Sequence, residues 1–137
     1  MKNSNVLKVI LFISGLIAIS VGGSILFMPS TFYAASGISL NGEVNLLNEI
    51  RASGGMIFAI GILIISGVFI TRLTFTATVI SMLLYLTYAL SRIFSMSIDG
   101  IPVDTLIQAL VLEIVIGILS VFAYLKYRFK GDSAYKV

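Results

Sequence analysis

VDTLIQALVLEIVIGILSVFAYL, residues 103–125, is a run long enough to cross a lipid bilayer. At about 1.5 Å rise per residue, roughly 20 apolar residues span the hydrocarbon core. Three more runs qualify: Val6 to Met28, broken only by Lys8 near its start, Ile50 to Ile70, and Leu73 to Phe94. Together they predict an all-α membrane protein, an antiparallel four-helix transmembrane bundle. It is read as one domain over 1–137, with helices over about 6–28, 42–70, 73–95 and 103–126. Residues 127–137 form a basic cytoplasmic tail suited to anionic inner-leaflet lipid, at about 1 kcal/mol per Lys or Arg.

Composition agrees. The 137 residues are 58% hydrophobic and 11% charged, and mean hydropathy is +1.09. Soluble domains carry about a quarter charged residues, and a fold this small cannot bury so much apolar surface in water. The net charge of +3 is not a nucleic-acid signature, because the basic residues sit at helix ends rather than on a patch. With no Cys, His or Trp, the chain lacks a thiol nucleophile, a histidine base and the usual zinc, copper or haem ligand sets. No metal, cofactor or catalytic residue is assigned. Carboxylates, cations and hydroxyls are left for any chemistry.

The first run competes with a reading as a signal peptide, with Lys2 and Lys8 as n-region and Ala34-Ala35 downstream. A signal h-region is roughly 7–15 residues, shorter than this run, and cleavage would remove one helix of four. Orientation follows the cation count. With the N-terminus inside, the cytoplasmic ends hold Lys2, Lys8, Arg72, Lys126, Arg128, Lys130 and Lys136, while Arg51 and Arg92 stay outside. Both termini are therefore expected in the cytoplasm, in a multi-pass inner-membrane topology.

In lipid, helices associate through small residues and interhelical hydrogen bonds rather than apolar burial. Small or polar stripes therefore mark the inward faces: Ser14, Ala18 and Gly22 on the first helix; Asn48, Ala52, Gly55, Ala59 and Ser66 on the second; Thr105, Ala109, Glu113, Gly117, Ser120 and Tyr124 on the fourth. The third is the most regular. Thr74, Thr78, Ser81, Tyr85, Tyr88, Arg92 and Ser95 alternate steps of four and three, the seam of a left-handed bundle, while Thr76, Thr87 and Ser91 fall off the stripe. Thr71-Arg72 makes a tight turn between helices two and three, Asp99-Gly100 and Pro102 turn the chain between three and four, and Asn41 is a candidate cap for helix two. Phe32 and Tyr33, in the long first outer connection, suit the interface.

A charge at the bilayer centre costs about 2.5–3.5 kcal/mol on insertion scales. Glu113 lies nine residues past Asp104, so about 13–14 Å into the core. It either stays protonated or meets a cation. Arg92 is that cation: side chains lean toward their own helix N-terminus, so Arg92 leans down and Glu113 leans up, with Tyr88 placed to bridge them. Tyr85 lies one turn further in. Glu49 and Arg51 flank the small stripe of helix two near the same outer vestibule, and Asp99 could cap Arg51 or Arg92. These residues are the candidate ligand-binding set. The competing reading is that the ions lock the bundle's register.

The segments Glu49-Ile50-Arg51-Ala52-Ser53-Gly54-Gly55, Arg92 through Asp99-Gly100-Ile101-Pro102, and Leu112-Glu113 resemble the bacterial family of four-helix membrane proteins known as domain-of-unknown-function family 4345. Ser91 stands where the family pattern has a glycine. The resemblance covers about Leu46 to Leu119 and implies a four-helix membrane protein without a stated activity. More distantly, the layout is similar to DoxX-like small membrane proteins. The expected function is binding of a lipid, a small amphipathic ligand or a partner helix in an outward-facing polar pocket. The alternatives are a membrane-embedded enzyme using Glu113 with Arg92 and Tyr88, or a small proton-coupled transporter subunit. Expected partners are the lipid bilayer, such a ligand, and a second copy or another membrane protein.

Overall fold

The computed structural model describes residues 4–128. Lys2, Lys130, Lys136 and all of the basic tail beyond Arg128 lie outside the described residues. The described chain forms α1 (Asn5–Phe27), a short α2 (Pro29–Ala34), α3 (Val44–Phe69), a 3-10 turn (Thr71–Leu73), α4 (Thr74–Asp99) and α5 (Asp104–Arg128). Helices α1, α3, α4 and α5 are each long and apolar enough to cross a membrane. The protein is a multi-pass membrane protein built as an all-α four-helix bundle.

Local chemistry sets the ends of the helices. Pro29 stops α1, because it lacks an N–H and its ring disfavours helical geometry at Met28, which has φ −132° and ψ 52°. The same proline then opens α2 at its first turn, where the missing donor costs nothing. Gly100, with φ +98°, ends α4 in a conformation that a side chain would oppose. Asn41 does not cap the second long helix. It stands at φ 47°, and Glu43 is the N-cap residue, without a side-chain bond.

Each long helix packs on its neighbours in sequence. Helix α5 closes the ring on α1, α1 also touches α4 across the centre, and α3 and α5 do not meet. The α1–α3 interface is the most extensive, and glycines explain why. A Cβ on Gly22 would stand 2.4 Å from the Phe58 backbone nitrogen, and one on Gly61 would stand 2.6 Å from that of Ile19. Gly15 and Gly54 are equally crowded. The α3 face expected from sequence is therefore corrected. Gly54, Ile57, Gly61, Ile64 and Gly67 face inward, whereas Asn48, Ala52 and Ala59 are exposed. Both faces of α3 carry small residues, and small size alone does not say which one meets a neighbour.

The α4 seam faces inward along most of its length: Thr74, Thr78, Ser81 and Tyr85 are buried, Tyr88 and Arg92 are half-buried, and Ser95 at the end is exposed. Ser81 meets Ser120 of α5 at 3.0 Å, and Thr74 donates to the Gly67 carbonyl at 2.9 Å, tying the α3–α4 hairpin. Outward-facing Ser20, Ser24 and Ser66 donate to their own helix one turn back, which satisfies a hydroxyl in lipid. Phe12, Leu16, Leu83, Leu90, Val111 and Ile118 are exposed on the outside of the bundle. So many bare apolar side chains are tolerable only against acyl chains.

Candidate functional site

The polar residues divide the bundle into two ends. The Arg72 end carries Arg72, Lys126 and Arg128; the α2 end carries Glu49, Arg51, Arg92 and Asp99. Near the α2 end, the Nε of Arg92 on α4 donates to both carboxylate oxygens of Glu113 on α5, at 3.0 and 2.9 Å. The carboxylate side chain is 10% exposed and the arginine 30%. Using Nε alone is an uncommon way to hold a carboxylate, since guanidinium pairs are commonly two-pronged. Among the described residues, no protein acceptor takes either Nη group.

Beneath this pair lies a cavity of about 110 Å³. Ile17, Ala18 and Val21 of α1, Ile57 of α3, Leu84, Tyr85 and Tyr88 of α4, and Ala109 and Leu112 of α5 form its walls, and Phe32 reaches in from α2. The Tyr85 hydroxyl donates to the Ser14 carbonyl, anchoring α4 to α1. Arg92 also lines a second hollow of about 240 Å³ with Ser95, Asp99 and the Gly100–Pro102 turn. The guanidinium thus stands at the boundary between an apolar chamber and a mixed one, where Ser95 and Asp99 meet Met96, Ile101 and Leu106. Every fully buried polar side-chain atom among the described residues has a partner, so the chamber walls are complete without a ligand.

Four of the sequence-derived site residues share the cavity: Tyr85, Tyr88, Arg92 and Glu113. Tyr88 lies beside the ion pair and bonds to neither member, because Arg92 reaches Glu113 directly. Asp99 pairs with neither arginine among the described residues; it accepts from Ser95 one turn back at 2.9 Å. Arg51 stands apart. Its Nη1 donates to the Leu26 carbonyl at the end of α1, where a cation complements the helix dipole and an unpaired carbonyl. It lines a shallow outer groove with Leu26, Asn48 and Ala52. Glu49 is exposed at the same end and lines neither hollow beside Arg92. The expected shared vestibule of Glu49, Arg51 and Arg92 is therefore split, because the close α1–α3 packing turns Arg51 toward α1's last turn. Sequence reasoning missed Phe32 as the roof of the cavity. The available signal was Pro29, which turns the chain back over the bundle.

The family model described as "Domain of unknown function (DUF4345)" matches residues 6–124. The chain belongs to that family. The DUF4345 match contains the whole cavity lining, the Arg92–Glu113 pair and the four crowded glycines of the α1–α3 interface. No curated protein and no solved structure matches the chain.

Proposed function

We propose that this DUF4345 chain is a binding protein of the bacterial inner membrane, with both termini in the cytoplasm. Its α2 end then faces outward, and its cavity takes a small amphipathic ligand. The observation that carries the reading is the position of Arg92, a charged donor with unengaged N–H groups at the join of an apolar cavity and a hollow of mixed polarity. Ligand sites are mostly apolar concavities with a few convergent polar groups. A pair serving only as a structural lock has no need of a chamber beside it. The enzyme reading receives less support: Glu113 is the covered member of the pair, 10% exposed and held by Arg92, whereas a general acid or base must come within hydrogen-bond reach of the substrate.

Single cysteines test this in a chain with none of its own. Ala109→Cys and Tyr88→Cys, probed in intact cells with a small water-soluble thiol reagent, should label from outside. Complete protection of both would remove the outward-opening pocket. A fluorescent reporter that matures only in the cytoplasm, fused after Val137, should be bright; a dark fusion at normal abundance would reverse the topology.

A further inference from the structure

The ligand's chemistry can be narrowed, given the pocket reading above. Size sets one bound. An apolar cavity of about 150 Å³ takes one benzene ring of six carbons, so 110 Å³ holds a tail of about four carbons. Pockets for drug-sized molecules run to about 300–1,000 Å³, so this cavity cannot enclose a sterol, a quinone ring system or a two-chain lipid tail. Charge sets the other. The ion pair presents its donor and hides its acceptor: Arg92 is 30% exposed against 10% for Glu113. A guanidinium has five N–H donors and no acceptor. Glu113 takes one of the five, and the four on the Nη groups remain in the planar fork that suits an oxyanion. Glu113 already balances the charge of Arg92 and Asp99 lines the outer hollow, so an anion is held by hydrogen bonds rather than net attraction, which disfavours a dianion such as a phosphate monoester.

We infer that the pocket selects a short, single-chain amphiphile with a monoanionic oxygen head. The head lies on the Nη groups of Arg92, and the tail lies in the cavity between Tyr85, Tyr88 and Phe32. Such an oxyanion could reach Arg92 as a free short-chain acid or as the headgroup of a membrane lipid; the cavity's size favours the free acid.

The test uses the full chain carrying Ala109→Cys, in phosphatidylcholine nanodiscs, labelled with iodoacetamide. Pentanoate should slow labelling, on the order of tenfold more than pentylammonium or pentanol at equal concentration, the difference expected of a hydrogen bond to a charged group. Arg92→Gln should abolish that preference while the cysteine still labels. If that variant fails to fold, the head-group comparison on the Arg92 protein decides alone. Equal protection by the three heads, or better protection by the ammonium, overturns the oxyanion assignment while the pocket stands. Protection by phosphatidylglycerol doped into the discs, with none from pentanoate, overturns the short-chain assignment. A cysteine that never labels removes the pocket itself, and with it the reading on which this inference rests.

Discussion

Between α1 and α3 the backbones nearly touch; between α4 and α5 the side chains meet. The first interface is built from absences, four glycines whose missing Cβ atoms let one backbone approach the other. The second is built from polar partners, Ser81 with Ser120 and Arg92 with Glu113. Both answers fit a solvent that gives helices little apolar reason to associate, but their consequences differ. Close backbone packing leaves little room, and beside Arg51 only a shallow groove opens between α1 and α3. Side-chain contacts hold helices further apart, and the cavity lies where α4 and α5 face α1, with Ile57 of α3 and Phe32 of α2 completing its wall. The bundle has one half that braces and one half that can accommodate.

The comparison can be broken hardest at the ion pair. Glu113→Leu leaves a cation without its partner and should cost about 3 kcal/mol, read by reversible unfolding in mixed detergent micelles. Adding Arg92→Leu should recover most of that loss, since a well-packed apolar replacement of a buried pair is often neutral or better. A double variant as unstable as the single one would show that more than the pair is at stake. Next comes the braced half. Gly22→Ala forces a methyl against the Phe58 backbone and should cost about 1–3 kcal/mol, with Gly61→Ala behaving alike. Smaller still is Ser81→Ala, at roughly 0.6 kcal/mol, the average for hydroxyl contacts between membrane helices. A double-mutant cycle with Ser120→Ala should show coupling of that size. The least affected is Gly55→Ala. An added Cβ there would meet only the Leu26 Cδ1 at 3.8 Å, so the change should stay below about 0.5 kcal/mol. If Gly55→Ala proved as damaging as Gly22→Ala, the assignment of the α3 faces would be wrong.

What the sequence disclosed follows from how sharply each feature contrasts with its surroundings. Four long apolar runs are unmistakable in any chain. Two tyrosines and an arginine at steps of three and four with Thr74, Thr78 and Ser81 define a seam on α4, although hydroxyls are weak markers, since Thr76, Thr87 and Ser91 are exposed. The approach of Arg92 and Glu113 could be worked out from depth and from the lean of helical side chains. The face of α3 could not. Gly54 and Gly61 compete with Gly55 and Ala59, and only contact with α1 separates them. Tyr88 was misread as a bridge because reach cannot be judged from spacing; the arginine is long enough to do without it. The capping of Leu26 by Arg51 depends on two helices meeting, which no local pattern records. Six residues of α2 were too few to register as a helix, although their proline was visible.

Ser81 with Ser120 and Arg92 with Glu113 fasten α4 and α5 at two levels. Two such pins fix translation as well as contact. A slip of one helical turn, about 5.4 Å, would part both at once and leave a cation and a carboxylate stranded among acyl chains. A hairpin inserted out of register is therefore strongly penalised before α1 ever docks, so the last two helices carry their own check on correct assembly.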